Sequence, residues 1–179
     1  MVLTYKELID LFNNDYQIKK QINEGNLIKL EEGYYTPGDY TPFELLVKKY
    51  PTSVFSFLTS LYFQGLINEV PSIFYLTSKK ESTRMKEAYV KQSFVDEKYL
   101  FEFVDIISID GTQAMVYSKE KTLISLIKNR NKVPPHIYKE AIHSYRNIIS
   151  SLNMHTINVL LNREKNKKIF KEIINKEIL

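Results

Sequence analysis

The first forty residues constrain the fold of this 179-residue chain most, because two short amphipathic segments run directly into a glycine-punctuated ribbon that closes on Glu32-Gly33-Tyr34-Tyr35. In residues 5–12, Leu8, Ile9, Leu11 and Phe12 recur at helical spacing, and Thr4 with Glu7 three positions on makes a capping box. A second helix is expected behind Asp15 as its cap, with Ile18 and Ile22 as an inward i, i+4 pair and Gly25 ending it in a left-handed conformation. Residues 26–36 alternate apolar and polar around Glu31-Glu32-Gly33, the pattern of a hairpin. Two helices followed by a hairpin outline a winged helix-turn-helix, here expected over residues 1–40. The outward residues of the second helix are Tyr16, Gln17, Lys19, Lys20 and Asn23, and the hairpin carries Lys29. A face of Lys and side-chain amides combines phosphate charge with hydrogen bonding to base edges, which a helix lying in the major groove needs. A purely structural helical domain would show the same periodicity. Residues 1–50 hold six Lys against eight Asp and Glu, a poor electrostatic match to DNA.

The net charge of +4 is unevenly placed: residues 119–179 hold thirteen Lys and Arg against five Glu, so the rest of the chain is slightly acidic. The basic surface includes Lys128, Arg130 and Lys132, then Arg163, Lys165, Lys167, Lys168 and Lys171. Such a surface suits a nucleic-acid backbone or an acidic partner, and a merely solvated helix face is the alternative.

The cluster Thr36-Pro37-Gly38-Asp39, with Pro42 soon after, marks the expected domain boundary. Beyond it the pattern predicts a short helix over residues 42–49 with Phe43, Leu45 and Leu46 inward, a brief strand at 54–57, and an apolar helix over 57–64 capped by Ser56 and ended by Gly65. Strands are expected at 73–77 and 101–109, with Asp110-Gly111 turning the latter into a partner at 113–117; residues 85–92 read as a further strand or a helix. Helices over 119–129, 135–146 and 150–176 finish the chain, the last broken near Asn162 or Asn166. The expected class is α+β: an N-terminal winged helix-turn-helix, then a mixed α/β domain over residues 41–179 with a helical C-terminus.

Enzymatic readings find little support. With no cysteine there is no disulfide, thiolate metal site or Cys nucleophile, and the five dispersed glycines make no nucleotide fingerprint. His136, His143 and His155 lack the i, i+4 spacing of a metal-binding helix. Glu102, Asp105 and Asp110 could be grouped around a divalent ion, yet the odd separation of Asp105 and Asp110 sends them to opposite faces of a strand. Ser53, Ser56 and Ser60 have no nearby His and no nucleophile-elbow setting. No catalytic residue, metal or cofactor is therefore expected. No apolar run approaches a membrane span and the N-terminus starts with a capped amphipathic helix, so a soluble, cytoplasmic protein is expected.

Three segments, in order along most of the chain, resemble the AbiEi-type antitoxin and transcriptional regulator family: GNLIKLEEGYY (25–35), VFSFLTSLYFQGLINEVPSIFYLT (54–77) and DGTQAMVYSKEKTLISLIKNRNKVPPHIYKEAIHSY (110–145). Gln64, Lys121 and Ser125 stand where these proteins commonly have His, Arg and Asp. The resemblance implies an antitoxin domain over residues 41–179 and the antitoxin role in an AbiE-like type IV toxin–antitoxin pair tied to abortive phage infection. Such a protein counters a nucleotidyltransferase-type toxin without needing a stable complex, and represses its own operon by binding inverted repeats in promoter DNA. Gln17, Lys20 and Asn23 would then lie nearest base edges, Lys19 and Lys29 on phosphates, and Tyr16 on the same DNA-binding face. Lys121, Lys128, Arg130, Lys132, Arg163, Lys167 and Lys168 would add backbone or partner contacts. A stand-alone winged-helix regulator without antitoxin activity is the alternative, and a protein-interaction module with a degenerate winged helix is a third reading. Glu120-Lys121-Thr122 admits a structural role as a helix start whose acid suits the positive end of the helix dipole, and Lys121 could equally reach a carboxylate or a phosphate.

Overall fold

The computed structural model describes residues 1–109 and 111–179 and is of the α+β class, with two sheets. The chain divides into two compact units, Met1–Thr52 with residues 111–113, and Ser53–Ile109 with Ala114–Leu179.

The first unit builds strand β1 (Leu3–Thr4), helices α1 (Tyr5–Phe12) and α2 (Asp15–Asn23), strands β2 (Ile28–Glu31) and β3 (Tyr34–Thr36), and helix α3 (Pro42–Lys49). The expected capping box starts α1: the Thr4 N–H donates to Glu7 Oε2 at 2.7 Å and the Glu7 N–H to Thr4 Oγ1 at 3.2 Å. The helix ends on Asn13, whose left-handed φ of 62° an Asn tolerates well. That sharp exit leaves Asn14, not Asp15, to cap α2, its Oδ1 accepting the Gln17 N–H at 2.8 Å. Gly25 beyond the end of α2 has φ +77°, a conformation that favours glycine. Ile18 is buried with Leu8, Leu27 and Tyr35, and Ile9, Phe12 and Ile22 pack around them. The expected hairpin is antiparallel β2–β3, with a register shift between Lys29 and Glu31, and β1 pairs antiparallel with the other edge of β3. The first unit runs to Thr52, past the Thr36-Pro37-Gly38-Asp39 cluster, so α3 belongs to it. Ion pairs show why: Lys48 reaches Glu7 of α1 at 2.6 Å and Lys49 reaches Glu31 of β2 at 2.7 Å.

The second unit contains β4 (Val54–Phe55), α4 (Phe57–Phe63), β5 (Phe74–Lys79), β6 (Val90–Val95), the single turn α5 (Glu97–Leu100), β7 (Val104–Ile109) and β8 (Thr112–Tyr117). Helices α6 (Lys119–Lys128), α7 (Pro135–Asn147), α8 (Met154–Asn162) and α9 (Lys167–Glu177) follow. Strand order is β6-β5-β4-β8-β7, with β4 antiparallel to β5 and parallel to β8. The expected β7–β8 neighbours are therefore present; Asp110 of their expected turn lies outside the described residues. The break foreseen in the last helix falls between Asn162 and Lys167.

Residues 85–89, expected to belong to a strand or a helix, form neither. β5 and β6 run parallel through a connection, residues 80–89, with no helix in it, whereas parallel neighbours usually need a helical crossover. Gln92 supplies the missing hydrogen bonds: its Oε1 accepts the Met85 N–H at 2.9 Å and its Nε2 donates to the Thr83 carbonyl at 3.2 Å.

The helical core buries Leu61, Leu123, Leu126, Ile127, Ala141, Tyr145 and Ile157 completely or nearly so. Tyr145 satisfies its hydroxyl by donating to the Lys119 carbonyl at 2.8 Å. Among the described residues no helix is long and apolar enough to cross a membrane.

Candidate nucleic-acid interface

Ile18 and Ile22 turn toward the core of the first unit, and this fixes the outward face of α2. Tyr16 is 73% exposed, and Lys19, Lys20 and Asn23 are exposed beside it. Gln17 is half-buried next to its cap, and Lys29 is exposed on β2. The face is not a bare cationic surface. Lys19 pairs with Asp15 at 2.5 Å and Lys20 with Glu24 at 3.7 Å, both one helical turn away. Asp15 also accepts the Tyr5 hydroxyl at 3.1 Å. The hydrogen bond between them raises the Lys19 ammonium and lowers the Asp15 carboxyl from their ordinary values. A phosphate approaching α2 must exchange with these carboxylates. Exposed pairs of this kind are weak, so the exchange is feasible. If α2 meets a phosphate backbone, replacing Asp15 by Asn and Glu24 by Gln together should tighten DNA binding about fivefold at low salt and steepen its salt dependence. Fluorescence anisotropy on labelled promoter DNA measures both, and unchanged affinity would show that neither lysine meets a phosphate.

In the second unit, several cations that the sequence offered for backbone or partner contacts are engaged internally. Lys128 pairs with Glu164 at 2.9 Å, and Arg163 holds Glu102 through both guanidinium nitrogens. Lys121 is tied to two carbonyls. Arg130, Lys132, Lys167 and Lys168 make no ion pair among the described residues; Arg130 is half-buried and the other three are exposed.

Glu120, Lys121 and Thr122 each tether the start of α6 to a different segment. Glu120 Oε1 accepts the Asn153 N–H at 2.9 Å, just before α8. Lys121 Nζ donates to the Tyr99 carbonyl at 3.0 Å and the Glu102 carbonyl at 2.8 Å, at the end of α5, and lies 3.6 Å from the centroid of the Tyr117 ring. Thr122 Oγ1 meets Ser60 Oγ of α4 at 2.6 Å, and both hydroxyls lie within hydrogen-bonding distance of the Tyr117 carbonyl. Gln64 Nε2 donates to Ser60 Oγ at 2.9 Å and to the same carbonyl. Thr122 and Ser60 are buried almost completely, so this network serves packing, because buried hydroxyls need partners. Burial pulls the Lys121 ammonium down to about 8; Glu102 opposes the shift and Arg163 adds to it. Sequence reasoning missed Ser60 and Gln64 as members of this network, since they lie about sixty residues from their partners.

The residues considered for chemistry stand apart. His136 faces Glu69 at 3.0 Å on the surface, and His143 and His155 are exposed. Asp105 is exposed on β7, its carboxyl raised by the part of its hydration that its neighbours remove and by Glu120, while Glu102 is held by Arg163. Asp110 is outside the described residues. Ser53 bonds Ser78 at 2.9 Å and Ser56 accepts from Thr77 at 3.1 Å, so hydroxyls meet hydroxyls. Among the described residues, no three of His, Asp and Glu gather as a metal site would require.

No protein-family model and no curated protein matches the sequence. Among solved structures, the fold is similar to the crystal structure of the RV2827C protein from Mycobacterium tuberculosis, with a TM-score of 0.65 over 93% of this chain and 68% of that one. Sequence identity is 12%, so the likeness is one of fold.

Proposed function

We propose that this protein is a cytoplasmic DNA-binding antitoxin of the AbiEi type, which represses its own operon and counters a nucleotidyltransferase-type toxin. The observation that carries the DNA-binding part is the exposed α2 face, Tyr16, Lys19, Lys20 and Asn23, in the same unit as a β2–β3 hairpin carrying Lys29. In this reading the first unit is a winged helix-turn-helix and α2 enters the major groove. Lys20 and Asn23, with Gln17 from its half-buried position, read base edges, and Lys19 and Lys29 hold phosphates. Arg130, Lys132, Lys167 and Lys168 add backbone contacts that offset the acidic first unit. Two copies occupy the two halves of an inverted repeat. The antitoxin part rests on the three resembling segments, and the second unit is the element assigned to it; antagonism needs no stable complex with the toxin. The chain acts without a cofactor and without catalysis.

Co-expression tests the reading: the neighbouring candidate toxin gene is induced alone, with the full-length protein, and with a full-length variant carrying Lys19→Gln and Lys20→Gln. Growth should be rescued by both forms, and promoter repression should survive only in the parent. Absence of rescue would favour a stand-alone regulator. One observation favours a third reading, an interaction module with a degenerate winged helix: the pairing of Lys19 and Lys20 with Asp15 and Glu24. Absence of promoter binding at low salt would decide for it.

A further inference from the structure

A cleft of about 250 Å³ opens in the second unit, with an apolar floor that includes Leu58 of α4, Ile67, Tyr75 of β5 and Ile137 of α7. Its walls are braced. The segment 67–73 is strapped to α7 at two positions one turn apart. Glu140 Oε1 accepts the Asn68 backbone N–H at 2.8 Å and its side-chain amide at 2.6 Å, and Glu69 Oε2 meets the His136 ring at 3.0 Å. Tyr75 is held by the edge of the Phe57 ring, centroids 5.0 Å apart and planes at 80°, with the Lys91 ammonium 5.7 Å from its centroid. Pro71 and Pro134, with fixed backbone φ, also line it. A cleft held this way is largely pre-formed, as small-molecule sites are.

Two opposite charges line the same cleft. Lys132 has no ion pair among the described residues, and Glu69 meets the exposed ring of His136 through Oε2, which leaves its Oε1 for a ligand. Lys132 and Glu69 do not pair with each other. An apolar floor beside one anion and one unpaired cation is complementary to a small zwitterion with an apolar body. Size narrows the class further, because sites for drug-sized ligands begin at roughly 300 Å³. The cleft has room for a free amino acid.

We propose that this cleft binds an α-amino acid with a branched or aromatic apolar side chain, its carboxylate on Lys132, its ammonium on Glu69 and its side chain against Leu58, Ile67 and Ile137. This activity does not depend on DNA binding or on toxin antagonism, but it draws on Lys132, which the proposed function also places among the DNA-backbone contacts, so the ligand is titrated into protein free of DNA.

Calorimetric titration of the full-length protein tests the assignment with L-leucine, L-phenylalanine, L-leucinamide, which lacks the carboxylate, and 4-methylpentanoate, which lacks the ammonium. At least one of the two amino acids is expected to bind saturably, with L-leucinamide and 4-methylpentanoate each about tenfold weaker than L-leucine, because each loses one charge-assisted contact. Lys132→Gln should weaken L-leucine about tenfold and abolish its preference over L-leucinamide alone. Glu69→Gln should abolish its preference over 4-methylpentanoate alone. Both side chains are at the surface, so the variants keep the fold, and this crossed loss of preference is not something a general structural defect produces. No saturable binding of either amino acid up to about 10 mM overturns the proposal, as does equal binding of L-leucine and its two single-charge analogues.

Discussion

Replacing Lys19 and Lys20 together by Gln is expected to weaken promoter binding about 100-fold at low salt and to flatten its salt dependence. A lysine that neutralises a phosphate releases condensed counterions, so losing Lys19 should reduce the slope of log K against log salt by about 0.9, while losing Lys20 removes a base-edge contact. The loss of affinity exceeds that of two ordinary surface charges because Asp15 and Glu24, which pair with these lysines, are left uncovered where phosphates approach. Gln and Lys have similar helix propensities, and Ile18 and Ile22 keep α2 seated on its core, so the folded state should be unaffected. Anisotropy titrations from 50 to about 200 mM salt separate the outcomes. A fall in affinity with an unchanged slope would mean that the lysines act on bases or through the fold, not on phosphates. Unchanged affinity would remove α2 from the groove altogether.

What the sequence disclosed was mostly what is encoded locally. The Thr4–Glu7 capping box is written within four residues and was legible as such. So was the inward pair Ile18 and Ile22, which fixes the outward face of α2, and the break before α9. The cap of α2 was misplaced by one residue because Asn14 and Asp15 are both good caps, and only the left-handed exit at Asn13 decides between them. Long-range pairing was hidden. β1 is two residues long and exists because β3, some thirty residues later, offers it a free edge. The Pro-Gly cluster after β3 looked like a boundary, yet the cations at the end of α3 reach back to Glu7 and Glu31. Residues 85–89 carried helix-forming side chains, but Gln92 takes the Met85 N–H, and the Glu87 and Tyr89 carbonyls accept from Val90 and Phe74. The candidate site followed the same division. The α2 face could be read from periodicity, whereas Lys121, Lys128 and Arg163 looked available because their partners lie 19, 36 and 61 residues away.

A Lys121→Met variant is expected to lose about 2 kcal/mol of stability at pH 7, with the loss growing above pH 8. The Met side chain preserves most of the aliphatic packing of the lysine stem but leaves the Tyr99 and Glu102 carbonyls without their donor and the Tyr117 ring without its cation. A carbonyl left without its donor costs roughly 1–3 kcal/mol, whereas the charge on the ammonium brings no net gain, because its desolvation outweighs the two carbonyls and the ring. The pH dependence follows from where Lys121 titrates in each state. Burial sets it at about 8 in the folded protein, below the roughly 10.4 of an unfolded lysine. Between those values the unfolded chain binds a proton that the folded chain has released, so the lysine's contribution to stability rises with pH across that window and is flat below it. The variant has no such group. The stability gap between parent and variant, measured by urea unfolding at pH 7, 8.5 and 10, should therefore widen as pH rises. A gap that narrows would mean that the two carbonyls and the Tyr117 ring hold Lys121 as a cation more strongly than burial opposes it, which would make this tether an electrostatic clamp on the end of α5.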